Sequence, residues 1–168
     1  MTEKIIILDF GSQYTQLIAR AVREANVYCE IIPYHKSFEL TPDLKGIILS
    51  GSPSSVNDIN APAVDIKTLA GQRPVLGVCY GAQLTAKQFG GRVEKSEKRE
   101  YGRAILTVNG PQDALFDGIN GQSQVWMSHA DSVLELPAGF QVLASTDTIP
   151  FAAFKKNGEG LPLYGVQG

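Results

Sequence analysis

A chain of 168 residues, 43% hydrophobic and 19% charged, is long enough for one domain with a substantial core and has an ordinary soluble, globular composition. The net charge of −2 implies neither general nucleic-acid binding nor attraction to an anionic membrane surface. No apolar stretch reaches the ~18 residues of a membrane span. The opening Met1-Thr2-Glu3-Lys4 carries no signal-peptide pattern. Cys29 and Cys79 make neither a disulfide framework nor a cluster with metal-ligand spacing, so no metal site is expected and the compartment reads as a reducing cytoplasm.

Lys4-Ile5-Ile6-Ile7-Leu8 is apolar and β-branched on consecutive positions, as in a central strand buried on both faces. Asp9-Phe10-Gly11-Ser12 ends it, and Ser12 is placed to cap the next helix. There Leu17, Ile18, Ala21 and Val22 recur at helical spacing to about Glu24. Val27 to Ile32 is a second strand, closed by Pro33, with Cys29 as a small core residue. Gly46 to Leu49 is a third, ending at Ser50-Gly51-Ser52-Pro53. Pro62 to Leu69 reads as a helix with proline near its start. Val75 to Val78 is a fourth strand and Tyr80 to Phe89 the helix behind it. Alternating strands and helices imply a parallel sheet with helices on both faces.

The second half changes character. Arg92-Val93-Glu94, Arg103 to Val108, Gln124 to Met127, Gln141 to Ala144, Phe151 to Phe154 and Leu163 to Val166 are short strand candidates separated by Gly, Pro, Asn and Asp. With no internal repeat, low-complexity segment or linker, residues 1–168 read as one α/β domain. Its sheet is open and mostly parallel, with a small antiparallel extension. Ligands of such sheets sit at the carboxyl ends of the strands, here the loops Asp9 to Tyr14, Ser50 to Ser55 and the turn at Cys79.

Gly77-Val78-Cys79-Tyr80-Gly81 is the most informative segment. It follows an apolar strand and precedes a helix, which is the form of a nucleophile elbow with Cys in place of Ser. Glycines on both flanks allow a tight turn and close neighbours. A sulfur at the apex stands at a helix N-terminus, where the backbone N–H groups and the helix dipole favour thiolate, the nucleophilic form. A buried Cys in a plain strand-to-helix loop is the competing reading.

Several of these segments together resemble the class I (triad) glutamine amidotransferases, and within them the N-terminal glutaminase domain of GMP synthases. Pro74-Val75-Leu76-Gly77-Val78-Cys79-Tyr80-Gly81-Ala82-Gln83 matches the general signature. Ile7 to Arg20, Ile48 to Pro53, Arg99 to Arg103 and Val125-Trp126-Met127-Ser128-His129-Ala130-Asp131 match the narrower one, so the resemblance covers nearly the whole chain. It implies a flavodoxin-like fold in which Cys79 attacks the side-chain amide of glutamine. The N–H groups of Gly51 and Tyr80 would form the oxyanion hole. Gln83, Ser128, His129 and Asp131 would hold the substrate. No cofactor is implied for this domain. ATP and magnesium are expected only in a partner ATP pyrophosphatase (synthase) domain, fused or separate, that aminates XMP with the released ammonia. Where Ser52 and Ala130 stand, the family usually has glycine.

Each segment also has a plain reading. Ser50 to Ser55 alone is a Ser/Pro-rich turn and not a phosphate loop, since no Gly-Lys-Ser/Thr follows. Asp9-Phe10-Gly11 imitates a kinase triplet in a chain too short for a kinase. Gln83 alone is a helix surface residue, and His129 a hydrogen-bonding loop histidine. Arg20 and Arg23 share a helix face, either solvated or a docking surface. The family's catalytic His and Glu follow a terminal Gly-Val-Gln strand. This sequence reads Tyr164-Gly165-Val166-Gln167-Gly168, and its only histidines are His35 and His129. The expectation is a domain truncated before that segment, with little glutaminase turnover from these 168 residues alone. A non-catalytic glutamine-binding module and another Cys-elbow hydrolase, such as a γ-glutamyl hydrolase, are the alternatives.

Overall fold

A computed structural model describes residues 2–108 and 122–167, with the backbone alone for 96–108 and 122–130. The expected strands and helices occur in the expected order. They are β1 (Lys4–Asp9), α1 (Thr15–Glu24), β2 (Tyr28–Pro33), β3 (Leu44–Leu49), α2 (Ile66–Ala70), β4 (Val75–Val78) and α3 (Tyr80–Gln88). The second half supplies β5 (Arg92–Val108), β6 (Gln122–Glu135), β7 (Phe140–Ser145), β8 (Ala153–Lys156) and β9 (Leu163–Val166).

All strands belong to one nine-stranded sheet of order β2-β1-β3-β4-β9-β8-β7-β5-β6. From β2 to β9 the pairings are parallel, and from β9 to β6 they are antiparallel. The α/β class, the parallel part and the antiparallel extension are therefore as read from the sequence. The extension prolongs the same sheet, with β9 as the hinge between its two parts.

The apolar run of β1 divides its side chains between two cores by strand alternation. Ile6 and Leu8 pack with Ile47, Leu49, Val75 and α3 residues Leu84 and Ala86. Ile5 and Ile7 pack on the opposite face with Ala19 of α1, Cys29 and Ile48. Helices thus cover both faces, and burial on both faces explains why β1 lacks polar alternation.

Four local expectations need correction. Ser12 does not cap α1: its Oγ accepts from Tyr14 N–H at 3.0 Å, in a turn before the helix, and Tyr14 occupies the N-cap position. The helix expected over Pro62 to Leu69 shrinks to α2. Asp65 caps it, accepting from Thr68 N–H at 3.3 Å, while α3 side chains claim the preceding carbonyls. Tyr80 Oη donates to Pro62 O and Gln88 Nε2 to Val64 O. Arg92-Val93-Glu94 and Arg103 to Val108 are ends of one strand, β5, whose pairing with β6 shifts register between Lys95 and Glu100. The strand expected at Phe151 to Phe154 starts only at Ala153, after a turn in which Thr146 N–H donates to Ile149 O at 2.8 Å.

Candidate active site

β4 runs into Cys79, and α3 starts at the next residue. Cys79 is the N-cap, with φ 55° and ψ −112°, a backbone region that L-residues rarely occupy. Its conformation is held from both sides. Cys79 N–H donates to Val166 O at 2.8 Å, and Cys79 O accepts from Ala82 N–H at 3.0 Å and Gln83 N–H at 3.1 Å. Close approach explains the flanking glycines. A Cβ on Gly77 would fall 2.5 Å from Gly81 O, and one on Gly81 2.4 Å from Leu49 O. Cys79 is partly exposed and stands at the N-terminus of a nine-residue helix, the end whose dipole attracts negative charge. Cys29 contrasts with it: buried, with its thiol donating to Ala19 O at 3.6 Å.

Gly51, just past β3, lies against the elbow. A Cβ placed on it would stand 3.9 Å from Cys79 Cβ and 3.3 Å from Ser12 Cβ and Oγ. The β1–α1 turn, the loop after β3 and the elbow therefore converge at the carboxyl ends of β1, β3 and β4, as open α/β sheets arrange their ligand sites. Tyr80 N–H is the first of α3, where a helix leaves its amide without an intrahelical acceptor. The Tyr80 side chain points away from that role. It is buried, its ring lies 5.5 Å from that of Phe10, and its hydroxyl ties the 51–65 loop at Pro62. Burial, reinforced by Asp58 and Tyr34, pushes this phenol up to about 12.

Gln83 is not the helix surface residue its position alone suggests. It is 3% exposed and donates Nε2 to Asp131 O at 3.0 Å, fastening α3 to β6. Asp131 itself is buried on β6. The backbones of Ser128 and His129 are opposite Tyr101 and Glu100 on β5, while their side chains lie outside the described residues. His35 is exposed after β2, with its ring 5.2 Å from Tyr34, and is not gathered to the elbow by any described contact. Among the described residues no three His, Cys, Asp or Glu stand together as metal ligands, and no helix is long and apolar enough to cross a membrane.

Sequence reasoning missed three structural participants. Gln167 is fully buried. Its N–H donates to Ala152 O at 2.8 Å and its Nε2 to Phe151 O at 2.7 Å, while its Oε1 accepts from Val133 N–H at 3.3 Å. It locks the end of β9 beside the elbow. Thr15 and Ser50 are buried hydroxyls between α1 and the Gly51 loop. The one signal for Ser50 and Gln167 was a polar residue directly following an apolar strand; Thr15, the first residue of α1, carried none.

The class-I glutamine amidotransferase family model matches residues 6–168. A glutamine-hydrolyzing GMP synthase from Cytophaga hutchinsonii is 56% identical over 167 residues, which is 99% of this chain and 32% of the relative. One from Porphyromonas gingivalis is 53% identical, covering 99% of this chain and 33% of that protein. The chain thus spans about a third of the length of these curated relatives. Among solved structures, a Thermoplasma acidophilum protein assigned to the GMP synthases superposes with a TM-score of 0.84 at 28% identity, covering 99% of this chain and 83% of that one. A Thermotoga maritima glutamine amidotransferase, at 17% identity and a TM-score of 0.76, covers 99% of this chain and 75% of that one and shares the fold.

Proposed function

This chain belongs to the class-I glutamine amidotransferases, and from that premise we propose that it is the glutaminase domain of a cytoplasmic GMP synthase. The single observation that carries the reading is the Cys79 elbow, a thiol forced to a positive φ at a helix N-terminus with Gly51 beside it.

In this reading the Cys79 thiolate attacks the side-chain amide carbon of L-glutamine, and the carbonyl electrons move onto oxygen. The N–H groups of Gly51 and Tyr80 hold that oxyanion. Collapse of the adduct breaks the C–N bond. A general acid protonates the leaving nitrogen, so ammonia departs and a glutamyl thioester remains. Water, deprotonated by the same group, then cleaves the thioester to glutamate and returns the thiolate. β9 ends against the elbow, so a base carried on residues following Gly168 would enter the site there. Gln83, Ser128, His129 and Asp131 bound the amino-acid end of the substrate. Gln83 does so through its hold on the Asp131 backbone. Ammonia passes to an ATP pyrophosphatase domain, where ATP and magnesium activate XMP.

The test uses the full-length protein with its synthase partner. Cys79→Ala is expected to abolish glutamine-dependent GMP formation while leaving formation from added ammonium salt intact. Retention of the glutamine-dependent reaction would overturn the assignment.

A further inference from the structure

We propose that Thr15 and Ser50, anchored on Asp9, are positioning residues that aim the Gly51 N–H at the reacting carbonyl oxygen; this rests on the glutaminase reading above. Ser50 closes β3, and its side chain and backbone both turn back to β1. Its N–H donates to Leu8 O at 3.1 Å, and its Oγ lies 2.8 Å from the same oxygen. Ser50 Oγ is also 3.0 Å from Thr15 Oγ1, which is 3.3 Å from Asp9 Oδ1. Asp9 Oδ1 in turn accepts from Gly11 N–H at 2.8 Å.

Each hydroxyl has one hydrogen to donate, so Thr15 and Ser50 cannot satisfy all three contacts as donors. Two hydrogens serve three oxygen–oxygen contacts, so every assignment leaves one of them without a bridging proton: Thr15–Ser50 at 3.0 Å, Ser50–Leu8 O at 2.8 Å or Thr15–Asp9 at 3.3 Å. Two of the three assignments contain the Thr15–Ser50 bond, which joins α1 to the loop after β3.

Thr15 is 2% exposed and Ser50 0%. Burying hydroxyls is costly unless they are paired, and Val and Ala would fill the same space without that cost. The polar pair brings direction instead. The Gly51 N–H lies on the planar peptide that follows Ser50 Cα, so anchoring Ser50 through its N–H and Oγ fixes the pivot of that peptide and leaves only Ser50 ψ between the anchor and the Gly51 N–H. Ser12 closes the other side, 3.3 Å from where a Gly51 Cβ would be. An oxyanion donor acts only when aimed in advance, and small misplacements are costly.

The experiment measures glutamine hydrolysis by the full-length protein with its synthase partner, for Thr15→Val, Thr15→Ser and Ser50→Ala. Thr15→Val and Ser50→Ala should lower kcat by about tenfold to about a hundredfold, with KM within about twofold of the parent. Alkylation of Cys79 by iodoacetamide, which needs no oxyanion donor, should keep its rate. Thr15→Ser should recover most of kcat. If Thr15→Val does not fold, Ser50→Ala carries the same comparison. The inference is overturned if the folded hydroxyl-deleted variants run within about twofold of parental kcat. It is equally overturned if Thr15→Ser is as slow as Thr15→Val, or if alkylation falls along with kcat. Those results with an inactive Cys79→Ala defeat the positioning role alone. Turnover by Cys79→Ala defeats the glutaminase reading beneath it.

Discussion

The carbonyl of Val166 accepts from the Cys79 N–H at 2.8 Å, so the last turn of β9 and the apex of the elbow are one hydrogen-bonded unit. β9 is also the strand that pairs in parallel with β4 and antiparallel with β8. The candidate nucleophile therefore stands at the seam between the two halves of the sheet, and the backbone that positions it comes from both.

Gly77→Ala and Gly81→Ala should each unfold the domain at markedly lower denaturant. The added methyl would meet backbone, Gly81 O at 2.5 Å and Leu49 O at 2.4 Å, which cannot rotate away. A loss of about 3 kcal/mol is expected for each. Urea denaturation followed by circular dichroism checks it, and a change under about 0.5 kcal/mol would contradict the packing described.

Cys79→Gly should stabilise the fold while removing the thiol. At φ 55° the cysteine is held in a region that glycine occupies freely. Relief of that strain is expected to raise stability by about 1 kcal/mol. Cys79→Ala keeps the Cβ and should gain much less. Thermal melts of the three proteins side by side make the comparison.

Tyr80 predicts an alkaline limit. Its phenol is raised from 10.0 to about 12, first by burial and then by Asp58 and Tyr34. Between those values the unfolded chain loses the proton and the folded chain keeps it, so stability is fully present below pH 10.0 and falls as pH rises toward about 12. Tyr80→Phe should flatten that alkaline fall and remove an absorbance step near pH 12. At neutral pH it should cost about 1 kcal/mol, since Pro62 O loses its donor.

Gln83 separates hydrogen bonding from shape. Gln83→Met leaves Asp131 O without its donor and is expected to cost about 1 kcal/mol. Gln83→Glu at pH 8 puts a buried carboxylate against that carbonyl and should cost about 3 kcal/mol. Equal melting temperatures for the two variants would show that the α3–β6 tie is not what holds this residue.

The strand–helix alternation was legible because it depends on local pattern. The consecutive apolar residues of β1 announce two-sided burial, and Gly77 and Gly81 announce a tight turn. The elbow was legible for the same reason. The α2 boundary was not, because Asp65 and two side chains of α3 decide it, and Tyr80 and Gln88 come to Pro62 and Val64 only in the folded chain. The roles of Gln167, Thr15 and Ser50 were not legible for a related reason. Each is a polar residue whose partners are distant in sequence, Val133 for Gln167 and Ser50 for Thr15. Gln83 reads as surface by its helix position and is buried because β6 packs over it.

The most direct test of the nucleophile is peptide mass spectrometry after treatment with 6-diazo-5-oxo-norleucine, an electrophilic glutamine analogue. One adduct per chain, on Cys79 and suppressed by excess L-glutamine, is the predicted result. An unmodified Cys79, or modification that glutamine does not slow, would contradict the account.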